Sequence, residues 1–270
     1  MKIKKIKYCP ICSFEKFKLK FSYKKKPIIE TNFEIKNYSR SYYECNRCNH
    51  WTSNFVISKK FYKNFYAKKT YGENYLNNFK KIINLKKKSD NYSRSSRIEN
   101  FLREVKFKKF KILDVGSGLG IFPFEMDKRG YEITAMDPDK TMANFIKKRL
   151  KIKTINSDFI KFKSNKKFNL ITFNKVLEHV EKPMTFLKKA KKYLYNKSLI
   201  YIEVPDTDAA KKVSKNREEF AIEHINCFTE KSLIVTLEIS GYKILKFKKI
   251  KEPSGKFTMY IFAKLYKNNE

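Results

Sequence analysis

Lys111-Ile112-Leu113-Asp114-Val115-Gly116-Ser117-Gly118-Leu119-Gly120 decides how the rest of this 270-residue chain is read. Ile112, Leu113 and Val115 make a short apolar run of the kind that forms a parallel strand buried on both faces. Three glycines at alternate positions follow at once, and they are three of only seven in the chain. Glycine suits places where backbone takes positive φ or lies against a ligand with no Cβ in the way. The stretch therefore predicts a strand feeding a tight, ligand-facing turn. A dinucleotide-binding turn would read Gly-x-Gly-x-x-Gly. Here the third glycine comes one position early and Ile121 stands in its place, so the turn fits a different ligand.

Toward the C-terminus the pattern repeats as strand and helix. A helix from about Gly120 ends at Gly130, a suitable C-cap, and Tyr131 to Met136 reads as a second strand running into Asp137-Pro138-Asp139. Asp137 lies 21 positions after Gly116, where a carboxylate closing the second strand of a doubly wound sheet reaches a ribose diol. Asp139 reads as the N-cap of a helix from Thr141 to Leu150. Ile152 to Ile155 make a third strand, followed by Asn156-Ser157-Asp158-Phe159. Phe168 to Phe173 make a fourth, leading into Asn174-Lys175-Val176-Leu177-Glu178-His179-Val180-Glu181-Lys182-Pro183. Leu187, Ala190 and Leu194 mark the next helix, and Leu199 to Val204 a fifth strand. The polar segment Thr207 to Glu219 reads as a flexible insertion over the cleft. Glu223-His224-Ile225-Asn226-Cys227-Phe228-Thr229 follows, with Thr229 capping a helix from Ser232 to Ser240 closed by Gly241. Tyr242 to Ile250 and Phe257 to Lys264 finish the chain as two strands.

Toward the N-terminus, Cys9-Pro-Ile-Cys12 and Cys45-Asn-Arg-Cys48 are two Cys-x-x-Cys knuckles separated by 32 residues. Four thiolates so spaced can close a tetrahedral zinc site that holds a fold and does no chemistry. A disulfide framework belongs to secreted chains, and the Lys-rich N-terminus lacks the apolar segment of a signal peptide. Cys227 falls outside the metal set, and His50 reads as a surface or supporting residue rather than a ligand. Phe17, Leu19, Phe21 and Tyr23 alternate with polar residues, as do Tyr43 and Cys45, so short strands are expected around the metal. Phe61, Tyr62, Phe65 and Tyr66 then recur at helical spacing, Tyr71 to Tyr75 interrupts, and Ile98, Phe101, Leu102 and Val105 mark a helix before the central strand. The expected organisation is a zinc-ribbon-like module over residues 1–56, a helical cap or linker over 57–108, and an α/β domain over 109–270.

The chain is 41% hydrophobic, with 24 Phe and 17 Tyr, which is enough to fill a core. No apolar run approaches the ~20 residues of a membrane span, so a soluble, cytoplasmic protein is expected. The formal charge of +35 invites a nucleic-acid reading, because basic faces bind phosphate chains. Arg is a small minority of the basic residues, however, whereas nucleic-acid sites favour its planar fork. Abundant Lys, Asn, Ile, Phe and Tyr with scarce Gly, Pro and Trp point instead to a biased composition. The charge would still help recruit anionic substrates.

Taken in order, the glycine turn with Asp114, then Asp137, then Asp158-Phe159, then the Leu177-Glu178-His179-Val180 stretch ending in Pro183, resemble the motifs of class I S-adenosylmethionine (SAM) methyltransferases over about Phe101 to Leu265. The resemblance implies a Rossmann-like seven-stranded sheet ending in an antiparallel pair. It also implies that Asp114 with Gly116, Ser117, Gly118 and Gly120 holds the methionine end of SAM, and Asp137 beside Pro138 its ribose. Asp158 and Phe159 would hold its adenine, with Asn174 and Leu177 completing the set. The four-cysteine module joined to such a domain, with His224-x-x-x-Phe228-Thr229, is similar to a bacterial group that includes sugar methyltransferases. The extra C-terminal domain of the longer sugar C-methyltransferases is missing from this sequence.

Methyl transfer from a sulfonium is an in-line displacement, so positioning matters most, and a neutral base helps keep the nucleophile unprotonated. Histidine is the natural base, and the chain has three. His224 stands first, on a loop at the carboxyl edge of the sheet, and His179 second, with Glu223 and Glu178 orienting these rings or capping helices. The expected function is SAM-dependent methylation of a small molecule, a sugar or glycan precursor, with structural Zn2+. An RNA methyltransferase with a zinc-knuckle module is the alternative, against which the wide knuckle spacing and the lack of an Asn-Pro-Pro-Tyr-type motif both count. A catalytically inactive SAM-fold scaffold is a third reading.

Overall fold

The computed structural model describes residues 2–35, 38–56, 67–105 and 110–266. In chain order its strands are β1 (Lys2–Ile3), β2 (Phe17–Tyr23), β3 (Arg40–Cys45), β4 (Trp51–Ser53), β5 (Phe55–Val56), β6 (Lys111–Val115) and β7 (Glu132–Asp137). They continue as β8 (Lys153–Asn156), β9 (Phe168–Asn174), β10 (Leu194–Pro205), β11 (Asn226–Cys227), β12 (Tyr242–Lys251) and β13 (Phe257–Leu265). The helices are α1 (Ala67–Tyr71), α2 (Tyr75–Asn84), α3 (Asp90–Glu104), α4 (Ile121–Lys128), α5 (Lys140–Phe145), α6 (Pro183–Ala190), α7 (Thr207–Val213) and α8 (Glu230–Ile239).

Seven strands form one sheet in the order β8-β7-β6-β9-β10-β13-β12. The first five run parallel, β13 runs against them, and β12, antiparallel to β13, runs in their direction. The central strand β6 buries Ile112, Leu113, Asp114 and Val115 and exposes only Lys111, because helices cover both faces. Ile112 joins one core layer with Ile98, Phe101 and Phe122 from α3 and α4. Leu113 and Val115 point the other way, into a layer with Leu187 of α6 and Leu233 and Leu237 of α8. The period-2 alternation of side chains thus divides one strand between two cores.

Three expectations about elements are corrected, the first at Leu194, which opens β10 and does not extend the helix of Leu187 and Ala190, which ends at Ala190. The segment after β10 is a helix rather than an open insertion: Asp206 caps α7 by accepting from the backbone N–H of Asp208 and Ala209 at 2.9 and 3.1 Å, and Ala210 is buried against Trp51 and Phe220. An aspartate directly after the strand was the start signal, and the polar residues beyond it are the helix's outer face. The helix expected from Thr141 to Leu150 is α-helical only to Phe145 and continues as a π-turn over Ile146–Leu150. Phe61, Tyr62, Phe65 and Tyr66 lie outside the described residues.

The N-terminal segment forms a four-stranded sheet in the order β11-β4-β3-β2, so its edge is completed by a strand more than 170 residues further along the chain. Cys9, Ile11, Cys45 and Cys48 belong to the same apolar cluster as Phe228, Leu177 and Leu233. The small sheet and the large one therefore share a core, and the small one forms a wall of the cleft above the large one.

Candidate active site

At the end of β6 the chain turns through Gly116, Ser117 and Gly118, with φ of 76° and 53° at the two glycines. A Cβ on Gly116 would meet Val176 at 2.8 Å, and one on Gly118 would meet the Tyr71 hydroxyl at 2.6 Å, so only glycine fits. The turn is tied to β7 by Gly116 and Ser117 N–H groups donating to the Met136 carbonyl at 2.8 and 3.1 Å. Gly118 N–H donates to Asp137 Oδ2 and Asp139 N–H to Asp137 Oδ1, each at 2.8 Å. Burial drives the Asp137 carboxyl up to about 7 against the pull of those two donors, with the neighbouring carboxylates Asp139 and Asp114 adding to the rise. Asp114 accepts from the Thr172 hydroxyl at 2.6 Å and the Asn174 amide at 2.7 Å, and burial raises it too. Asp158, after β8, accepts from Ile160 N–H at 2.8 Å, beside the buried ring of Phe159 packed against Phe173 and Phe186.

One cleft of about 1010 Å³ is lined by Asp114, Gly116, Ser117, Gly118, Asp137, Pro138, Asp158, Phe159 and Asn174, and also by His179, Glu223 and His224. Gly120 and Leu177 do not line it. Gly120 is the N-cap of α4 and faces Ile146 and Leu150, while Leu177 is fully buried in the shared core. In each case the sequence pattern marks a position that shapes the site from behind.

The histidine end of the cleft is built from distant segments. Lys175 follows β9 with a left-handed φ of 56°, which turns the chain so that Leu177–His179 forms a short 3₁₀ turn at the cleft wall. His179 Nδ1 lies 3.1 Å from the Glu223 carbonyl, and His224 Nδ1 lies 3.0 Å from the Glu219 carbonyl. A carbonyl only accepts, so each Nδ1 carries the proton and each Nε2 keeps a lone pair. Burial lowers His179 to about 4 and His224 well below its ordinary value, so both rings are neutral at physiological pH. The two ring centroids are 4.8 Å apart. Burial raises Glu223 to about 7 and the fully buried Glu178 to about 8, the latter opposed by Lys175.

The N-terminal sheet holds this loop in place. The Tyr42 hydroxyl, itself buried, lies 2.8 Å from the His224 carbonyl and 3.0 Å from that of Ala221. Asn226 donates to the Val180 carbonyl at 2.6 Å and accepts from His50 Nε2 at 2.9 Å, and Ser53 N–H donates to the Ile225 carbonyl. His50, fully buried, is thus a supporting residue and not a surface one. Glu30 and Thr31 reach the cleft from the connection between β2 and β3, Tyr71 from α1, and Arg94 from α3, its guanidinium locked on Glu203. The sequence carried no local signal for these four, because none lies in a motif.

The four knuckle cysteines form no disulfide, and their sulfurs lie within 4.8 Å of one another, with Cys9–Cys48, Cys12–Cys45 and Cys12–Cys48 each at 3.5 Å. A tetrahedron with Zn–S bonds of ~2.3 Å has edges of about 3.8 Å, so the donor set fits Zn2+. Ser13 and Asn49, each directly after the second cysteine of its knuckle, take left-handed φ of 57° and 59°, giving the two knuckles the same turn.

A family model described as a methyltransferase domain matches residues 85–246, more than half of the chain. The chain belongs to that family: it is a SAM-dependent methyltransferase. A search of curated proteins finds no match. Among solved structures, the 1,6-didemethyltoxoflavin N1-methyltransferase of Burkholderia thailandensis is similar with a TM-score of 0.57 at 14% identity, covering 84% of this chain and 96% of that one. The glycopeptide N-methyltransferase MtfA in complex with SAM is similar with a TM-score of 0.53 at 12% identity, covering 63% and 93%. A SAM-dependent methyltransferase of Clostridium acetobutylicum gives 0.51 at 14%, covering 64% and 91%. At these identities the likeness is one of fold. No helix among the described residues is long and apolar enough to cross a membrane.

Proposed function

We propose that the cleft holds SAM across the carboxyl ends of β6, β7 and β8 and presents its methyl group to a small hydroxylated acceptor, a sugar or glycan precursor, at the histidine end. The observation that carries this reading is that Asp114, Asp137 and Asp158 line one continuous cleft whose far end is lined by His179 and His224. Asp137 would accept from the ribose hydroxyls, which favours its ionised form. Asp114 and the glycine turn would hold the methionine end, and Asp158 with Phe159 the adenine.

When bound, SAM supplies a methyl group on a sulfonium whose departing electron pair stays on sulfur. The chain's part is to align the acceptor oxygen behind that methyl carbon and take the acceptor's proton. His224 Nε2, neutral and fixed through Nδ1, is the proton acceptor, with His179 beside it. Glu223, through its backbone carbonyl, orients His179.

The resemblance of the four-cysteine module with His224-x-x-x-Phe228-Thr229 to sugar methyltransferases supports the acceptor class. The module's engagement with the His224 loop also supports a role in shaping the acceptor pocket, and the same four sulfurs would hold the structural Zn2+. The test is His224→Ala. Turnover of tritium-labelled SAM over a nucleotide-sugar pool should vanish while the calorimetric Kd for SAM stays within about threefold. Unchanged turnover would remove His224 from the mechanism, and labelling of total RNA in place of sugars would overturn the acceptor class.

A further inference from the structure

Glu178 is the anomaly of the cleft. Its side chain is fully buried, it lines the cavity, and neither carboxylate oxygen has a hydrogen-bond partner among the described residues. A buried carboxylate left in this state is costly, and buried charges are ordinarily paired or bound to a metal. The nearest cation on its own turn is Lys175, whose Nζ donates to the Thr258 hydroxyl at 2.6 Å and lies 4.0 Å from Glu203. Glu203 in turn is held by Arg94 and Arg97, so the lysine's contacts go to that network, and it acts on Glu178 only through space, with no hydrogen bond to either carboxylate oxygen.

Beside Glu178 stand His179 and His224. Each donates Nδ1–H to a backbone carbonyl and keeps an Nε2 lone pair. That arrangement is how proteins prepare a metal-ligating histidine, since the carbonyl fixes both the tautomer and the ring orientation. One ligand atom from each of Glu178, His179 and His224 can be chosen so that all three lie within 4.8 Å of one another. Metal bonds of ~2.1 Å at 90–110° set donor atoms about 3.0–3.4 Å apart, so rotation of these side chains by an ångström or so closes the shell.

We propose that Glu178, His179 and His224 form a second metal site, distinct from the four cysteines, that takes one divalent transition metal ion. Two neutral imidazoles and one carboxylate suit Zn2+, Fe2+ or Co2+ and disfavour Mg2+ and Ca2+, which prefer all-oxygen shells. Three protein ligands leave positions open toward the cleft for an acceptor hydroxyl. The ion would then lower that hydroxyl's pKa in place of the His224 base. This last chemistry rests on the methyl-transfer reading above, whereas metal binding itself does not.

The test uses the full chain, stripped with a chelator and titrated with Co2+ under anaerobic conditions without SAM or acceptor. The four-sulfur site reports itself by thiolate charge-transfer absorption, and equilibrium dialysis counts total cobalt. Wild type should bind one equivalent more than His179→Ala/His224→Ala, with the charge-transfer band equal in both. Glu178→Gln, nearly isosteric and checked for an unchanged charge-transfer band, should weaken the additional equivalent by roughly tenfold or more. Equal cobalt counts in wild type and the double variant would overturn the site. Full-affinity binding in Glu178→Gln would overturn the three-ligand assignment. Neither failure would touch SAM binding, which calorimetry reads separately.

Discussion

The two ends of the cleft are made in different ways. The end proposed for SAM is made by strand ends that follow one another in the chain, and its key contacts are short in sequence: Gly118 to Asp137, or Asp137 to Asp139. The histidine end is assembled from Tyr42, Glu178, Glu219 and Glu223–Asn226, with contacts such as Tyr42 to His224 that span 182 positions. The first end is local and can form whenever the large sheet forms. The second depends on the N-terminal sheet docking on the loop after α7. Proteins of this architecture can thus keep one end and vary the other, since a ligand site at the carboxyl edge of a doubly wound sheet leaves the acceptor side to whatever covers it.

The hardest blow to that contrast is Cys45→Ser. Structural zinc in small modules contributes on the order of 10–16 kcal/mol of apparent binding energy, as much as a whole domain's stability. Cys45 is fully buried in the core shared by both sheets. Zinc measured by atomic absorption should be lost, and turnover should fall by at least about a hundredfold, the scale of an ångström's misplacement of a reacting group. The Kd for SAM should move by less than about threefold. A parallel collapse of SAM affinity would show that the two ends are not independent.

The same contrast explains what could be read from the chain. β6, β7, β8 and β9 and the acids at their ends were legible because each strand announces its own turn, and Asp114, Asp137 and Asp158 do lie in one cleft. The knuckles were legible because Cys-x-x-Cys spacing encodes its own geometry. Gly120 and Leu177 were misplaced because a motif marks which positions matter without saying whether a side chain faces the ligand or the core. Arg94, Tyr71 and Glu30 were invisible, since their places in the cleft depend on how α3, α1 and the small sheet pack. The α7 helix is hidden by its polarity: Asp206 signals its start, but the polar residues beyond it, which form its outer face, read equally well as an open segment.

A smaller effect is expected at the SAM end. Asp137→Ala removes a carboxylate that would accept from two ribose hydroxyls. Hydrogen bonds to charged groups contribute roughly 1.5–3 kcal/mol, so the Kd for SAM should rise about ten- to a hundredfold. The cobalt count and the zinc content should not change, because the hydrogen bonds of the Asp137 carboxylate go to Gly118 and Asp139, at the other end of the cleft from Glu178, His179 and His224. Loss of metal in this variant would join the two ends that the geometry keeps apart.

The mildest test varies only pH. Burial raises Asp137 to about 7 in the ligand-free chain, and accepting from hydroxyls favours the ionised form. Below pH 7 the proton must leave on binding, so the affinity for SAM should fall by about tenfold per pH unit between roughly pH 7 and 5 and level off above. Stability of the ligand-free fold runs the opposite way. A carboxyl raised above its unfolded value of ~3.9 contributes stability that is full below that value and is lost as pH rises through about 7. The loss is about 4 kcal/mol, at about 1.4 kcal/mol per unit over roughly three units. Asp114, Asp139 and Tyr71 all interact electrostatically with Asp137. The assignment is therefore made by difference: Asp137→Asn should flatten both the calorimetric affinity profile and the profile of Tm against pH. If the slope in affinity survives in Asp137→Asn, the titrating group is another of the cleft's acids, of which burial raises Asp114, Glu178 and Glu223 as well.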